Sequence, residues 1–160
     1  MNVNKMFSLE NKTAVVIGGA GKIGFPISEA LAEAGACVFI CSTNFDNIDK
    51  AVKKLKNKGL NVHGFVLDQT NESDIKSLIN KINSDFPPLK ILFNSGVVRP
   101  MKNFFEDTLE NFNQSMKINA GGLFLTCKLF GSEIAKNGGG SIVNISSIYG
   151  SVAPDMKIYE

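Results

Sequence analysis

The sequence predicts an α/β domain built on a doubly wound parallel sheet with strand order 3-2-1-4-5. Three observations predict it. Five short apolar runs alternate with longer polar or amphipathic stretches along the 160 residues. The first run leads directly into a cluster of glycines. The residues with chemical potential sit just after the runs, where ligands bind in such sheets. Helical connections of roughly ten residues or more between strands require crossovers, hence a parallel sheet with helices on both faces. Right-handed crossovers then leave few topologies, of which this order is the most direct.

Each element has its own justification. Residues 13–17 (TAVVI) are β-branched and apolar on both faces, the pattern of a buried parallel strand. Residues 22–34 follow as a helix, with Pro26 near its first turn, where a missing N–H costs little, and Gly35 ending it. Residues 36–41 (ACVFIC) are a second strand. Residues 46–58 form a helix with Ile48, Ala51, Val52 and Leu55 on one face and lysines on the other. Residues 62–67 are a third strand, and residues 73–85 a helix with the stripe Ile75, Leu78, Ile79 and Ile82. Pro87-Pro88 breaks the chain before a fourth strand at 89–93. Residues 105–136 read as two helices broken near Asn119-Ala120-Gly121-Gly122, and Gly138-Gly139-Gly140 leads into a fifth strand at 141–145.

Composition narrows the function classes. The chain is 44% hydrophobic and 20% charged, with a net charge of +2, which argues against a nucleic-acid or membrane-surface partner. No apolar run reaches the ~18 residues of a membrane span. Residues 1–10 lack the basic-then-apolar pattern of a signal peptide, so a cytoplasmic protein is expected. Cys37, Cys41 and Cys127 fit neither a disulfide framework nor a zinc site, and no metal is expected. Cys37 and Cys41 lie in one apolar run and read as core residues.

The glycine cluster is the first chemical signal. Gly18-Gly19-Ala20-Gly21-Lys22-Ile23-Gly24 contains a G-x-G-x-x-G spacing directly after a strand and opens a helix. Glycines allow a tight turn and let the backbone approach a pyrophosphate, while the helix N-terminus offers N–H groups and positive dipole. This is the context that makes the motif a dinucleotide-binding, Rossmann-type signature, and no Gly-Lys-Ser/Thr follows to suggest a P-loop. Gly24 is expected to allow the helix to pack against the sheet. Lys22 could meet a phosphate or be a solvated helix-start lysine. The acidic residue expected after the second strand is absent: the strand ends in Cys41-Ser42-Thr43-Asn44. Ser42 and Thr43 can hydrogen-bond a ribose but do not repel a 2′-phosphate, which favours NADP or dual use over strict NAD. Asp46 reads as the cap of the next helix.

With these motifs in place, the sequence resembles the short-chain dehydrogenase/reductase family over essentially its whole length. Asp68-Gln69, after strand three, resembles the segment that contacts the adenine. Phe93-Asn94-Ser95-Gly96 resembles the family's Asn-Asn-Ala-Gly, departing at Phe93 and Ser95; here Asn94 can tie neighbouring strands, and Ser95 and Gly96 let the backbone pass the nicotinamide ribose. Asn119 matches the helix asparagine of the catalytic set, although an asparagine there can also cap a helix break. Ser147, in Asn144-Ile145-Ser146-Ser147, matches the catalytic serine, although serines after a strand are commonly turn residues. Gly-Gly-Ala-Gly with Ser-Ile-Tyr-Gly and Ala153-Pro154-Asp155 is similar to the sugar-alcohol and sugar-acid members.

The resemblance implies hydride transfer between NAD or NADP and a secondary alcohol or ketone, a small-molecule substrate of sugar type, in a homo-oligomer (dimer or tetramer). Asn119 would hold a water in the proton relay, and Ser147 would orient the substrate oxygen. The family's Tyr-x-x-x-Lys does not occur in the sequence; Tyr149 has Ala153 at that spacing, and Tyr159 stands one position short and is read as non-catalytic. Residues 1–160 are therefore expected to be one NAD(P)-binding domain, incomplete at its C-terminus, lacking the final strands, the substrate loop and the tyrosine–lysine pair. The competing reading is a non-catalytic dinucleotide-binding or regulatory protein on the same fold. A methyltransferase on this fold is disfavoured by the serine segment.

Overall fold

The computed structural model describes residues 2–100, 105–153, 155 and 157. A four-residue helix, α1 (Val3–Met6), precedes the alternating units. These run β1 (Thr13–Ile17), α2 (Gly24–Glu33), β2 (Cys37–Ser42), α3 (Phe45–Lys56), β3 (Val62–Val66), α4 (Glu72–Asp85) and β4 (Leu89–Asn94). Then come α5 (Leu109–Met116), a π-helical turn (Lys117–Gly122), α6 (Leu123–Lys136), β5 (Ser141–Asn144) and a 3-10 turn (Ile148–Gly150). All five strands are parallel, in the order β3-β2-β1-β4-β5, as the sequence predicts.

Side-chain alternation along the strands divides the core into two layers. Val15, Phe39 and Leu92 face α4 and α6, where Leu78, Ile82 and Phe130 meet them. Val16, Ile40 and Phe93 face α2 and α3, where Ala32, Ala51 and Leu55 meet them. Cys37 and Cys41 are buried among these residues, and burial raises both thiols above the usual range. Register aligns the strand ends: Ile17 pairs with Cys41 on one side and Asn94 on the other, and Asn94 pairs with Asn144. The carboxyl ends of β2, β1, β4 and β5 therefore form one edge.

Three expectations are corrected. The cap of α3 is Asn44, whose Oδ1 accepts from Asn47 N at 2.9 Å, whereas Asp46 lies in the first helical turn. An asparagine one residue before the helix has the extended backbone a cap needs. Helix α2 starts at Gly24 rather than at residue 22, because residues 18–23 are consumed by the turn. The long helical stretch starts at Leu109 behind the cap Thr108, and it does not break at Asn119. It passes through the π-turn instead, which widens the helix without ending it. Among the described residues, no helix is long and apolar enough to cross a membrane.

Candidate active site

The site grows from the edge where the strands end. Gly18 leaves β1 with φ of +73°, and its N–H and that of Gly19 both donate to Cys41 O, at 2.9 and 3.1 Å. The turn is thus nailed to the end of β2 by main chain alone. Gly21 N closes it by donating to Gly18 O at 2.9 Å. A Cβ at Gly18 would stand 2.8 Å from Gly96 N, and one at Gly24 would collide with the Gly18 carbonyl oxygen. Gly24 therefore packs α2 against its own turn, not against the sheet as the sequence suggested. Ser28 Oγ donates to Gly24 O at 2.9 Å and steadies this first helical turn.

The N-cap residue of α2, Ile23, makes no side-chain cap bond, and Lys22 and Ile23 are exposed beside it. A ten-residue helix thus presents an N-terminus without a side-chain cap beside a turn packed so closely on backbone that positions 18 and 24 admit no side chain. That is the arrangement a pyrophosphate requires, so the residues present fit a dinucleotide.

Next to this turn, Ser42 ends β2 and its Oγ accepts from Asn44 N at 3.3 Å; Thr43 is exposed. Beyond β3, Asp68 is exposed. Its Oδ1 accepts from Thr70 N and Thr70 Oγ1, at 2.8 and 2.9 Å, and its own N–H donates to Asp74. Gln69 turns the opposite way. It is buried, and its Nε2 donates to Ile118 O at 2.7 Å.

On the other flank, Ser95 binds the end of β1 through two donors, Oγ and N, to Ile17 O at 2.8 and 3.0 Å. Asn94 ties strands as expected: its Nδ2 donates to Asn144 Oδ1 at 2.8 Å, and its Oδ1 accepts from Thr126 Oγ1 at 3.2 Å. Asn119 sits in the π-turn and grips the loop after β4 at both ends of its amide. Its Oδ1 accepts from Val98 N at 2.9 Å and its Nδ2 donates to Val98 O at 2.8 Å. Its Nδ2 also donates to Ser115 Oγ at 3.1 Å within the helix, but its grip on Val98, 21 residues away, makes it a long-range tie rather than the cap of a helix break that remained open from sequence. Ser147 follows β5 and is exposed; its Oγ accepts from Tyr149 N at 3.2 Å, opening the 3-10 turn.

The edge therefore brings together Gly18, Gly19, Gly21, Lys22, Ile23, Gly24, Ser42 and Thr43 with Ser95, Gly96, Asn119 and Ser147. Asn94 and Gln69 stand behind it as buried ties. Sequence reasoning missed Val98 as the partner of Asn119 and the inward turn of Gln69. The small run Ala120-Gly121-Gly122 inside an otherwise helical stretch was the available signal for the π-turn. Tyr159 and Pro154 lie outside the described residues.

Comparison with known proteins bears on the family and the fold. A family model described as short chain dehydrogenase matches residues 12–159. The chain is 28% identical to D-threitol dehydrogenase of Mycolicibacterium smegmatis, over 99% of this chain and 61% of that protein. It is 30% identical to NAD-dependent glycerol dehydrogenase of Listeria innocua, over 97% of this chain and 60% of that protein. The crystal structure of gox2181 superposes with a TM-score of 0.85 at 30% identity, over 97% of this chain and 60% of that one. The chain thus spans about three fifths of the length of these relatives. With the strand order, the glycine turn and the family match in agreement, the chain belongs to the short-chain dehydrogenase family.

Proposed function

We propose that the protein is a nicotinamide-dependent oxidoreductase that moves hydride between the cofactor and a secondary alcohol or ketone of sugar-alcohol or sugar-acid type. The observation that carries this reading is the shared sheet edge: a helix start without a side-chain cap after the glycine turn of β1, the loop after β4 that Asn119 grips, and Ser147 in the turn after β5. Gly18, Gly19, Gly21 and Gly24 with the N-terminus of α2 would hold the pyrophosphate, Ser42 and Thr43 the adenosine ribose, and Asp68 the adenine. The main chain at Ser95 and Gly96 would pass under the nicotinamide ribose. When bound, the nicotinamide supplies or accepts the hydride. Ser147 orients the substrate oxygen, and Asn119 holds the relay water while fixing the Val98 loop. The proton donor of this reading is a Tyr-x-x-x-Lys pair, which the 160 residues do not contain.

Relatives named for D-threitol and glycerol support a polyol as the substrate. They also favour the enzyme over the non-catalytic alternative. With no carboxylate at Ser42 or Thr43, the reading extends to NADP or dual cofactor use. Calorimetric titration with NAD+ and NADP+ tests the cofactor; assays of the whole protein on D-threitol and glycerol, followed by nicotinamide absorbance, test the reaction. Binding of either dinucleotide with turnover of a secondary alcohol is expected. Failure to bind both dinucleotides overturns the proposal. Ser42→Asp should move preference toward NAD, and a starting preference for NAD of about a hundredfold would refute the NADP assignment.

A further inference from the structure

We propose that Gln69 is the positioning residue for Asn119, linking the adenine side of the cleft to the helix that carries Asn119. The inference rests on the functional reading above for its catalytic meaning, and on geometry for the link itself. Asp68 and Gln69 follow β3 as neighbours but point apart: Asp68 is exposed and Gln69 is buried. Gln69 Nε2 donates to Ile118 O at 2.7 Å, with Gly96 O a second acceptor at 3.5 Å. Ile118 O belongs to the peptide that supplies Asn119's own N–H. The backbone of Asn119 is thus pinned from the β3 side, while its side chain is pinned to Val98 from the β4 side.

The surroundings are shaped around this one side chain. A Cβ at Gly96 would collide with Gln69 Oε1, and one at Gly122 would stand 2.6 Å from Gln69 Cγ. Two separate elements, the loop after β4 and the π-turn, thus pack closely on the Gln69 side chain through glycines. The π-turn departs from the ordinary helical ladder beside this contact: Leu123 N donates to Ala120 O three residues back. An apolar side chain at position 69 would remove the buried donor from Ile118 O.

Two variants separate a hydrogen-bonding role from space filling. Gln69→Met keeps length and volume but removes the donor. Gln69→Glu keeps the shape and replaces the donor with an acceptor when ionised. In both, the exchange rate of the Val98 amide, which donates to Asn119 Oδ1, should rise roughly ten- to hundredfold, with Gly18 and Gly19 amides unchanged. In Gln69→Glu, acidification returns an O–H donor, so Val98 protection should recover at low pH, which Gln69→Met cannot reproduce. In the whole protein, kcat should fall by a similar factor with the cofactor KM within about twofold. Adding Gln69→Met to Asn119→Ala should cost nothing further, the non-additivity expected when one residue acts through the other. Unchanged Val98 exchange in a variant that melts like the parent overturns the link. Additive losses in the double variant overturn its catalytic meaning. If the parent protein shows no dehydrogenase activity, the functional reading falls, and the exchange measurements still decide the link.

Discussion

The glycine turn and the serine turn close the same sheet edge but are held in opposite ways. Behind the glycine turn, Val15, Val16, Phe39 and Ile40 are wholly buried, and the turn is pinned by main-chain N–H groups to Cys41 O. Behind the serine turn, all four residues of β5 are exposed, with Ile142 and Val143 each 40% accessible. Ser147 is held by a bond within its own turn, while β5 is held by its main-chain ladder to β4, with a side-chain tie from Asn94 to Asn144 at its end. The proposed phosphate cradle, made of backbone on covered strands, forms without help from side chains. A serine beyond a strand that, among the described residues, pairs on one side only depends on that single ladder and on the bond within its own turn.

The largest expected effect breaks the first region. Gly24→Asp places a side chain against the Gly18 carbonyl oxygen and a carboxylate beside the phosphates. Dinucleotide affinity should fall at least about a hundredfold, roughly 2.7 kcal/mol, by calorimetry. An unchanged dissociation constant would remove the glycine turn from the site.

Asn94→Ala probes the second region. It takes a buried partner from Asn144 and from Thr126, and should lower stability by about 1–3 kcal/mol in urea melts. Amide exchange should increase first in β5, with dinucleotide affinity within about twofold. If affinity falls as far as stability does, the two regions are one cooperative unit and the contrast fails.

In the 160-residue chain taken alone, Val143→Lys acts on the strand that only β4 pairs among the described residues. A charge on an edge strand opposes pairing with another chain, so sedimentation should show less self-association, with stability changed by no more than about 0.5 kcal/mol. Equal association in both proteins would mean that β5 is not the sticky edge.

The smallest effect concerns the opposite edge strand, β3, which has a cover that β5 lacks. His63 packs against Phe39 and Phe86, with ring centroids at 5.3 and 4.7 Å. Burial, then the charges of Lys56 and Lys81, hold its pKa below the ordinary value. The unfolded chain therefore takes up the proton first as pH falls. The contribution of His63 is fully present above about pH 6.5 and is lost from there down through the depressed folded value. His63→Phe should flatten that part of the profile of urea midpoints. An identical slope in both proteins would show that the ring titrates freely.

The sequence by itself determined the five strands, their order, the glycine turn and Asn94 as a strand tie. These are readable because strand and helix periodicity, glycine spacing and the position of a residue after a strand are local features of the chain. It also placed Asn119 between strands four and five and Ser147 after strand five, where the structure has them. What tertiary structure decided is which way each side chain turned and whom it met. Asp68 and Gln69 are adjacent polar residues, yet one is exposed and the other is buried against Ile118, 49 positions away. Asn119 could have capped a helix end; instead it grips Val98 through a helix that never breaks. Asn44 displaced Asp46 as a cap because the backbone leaving β2 is still extended at Asn44, with φ of −99° and ψ of 109°. Each of these outcomes depends on sheet register and on the close approach of distant segments, which neither periodicity nor motif spacing encodes.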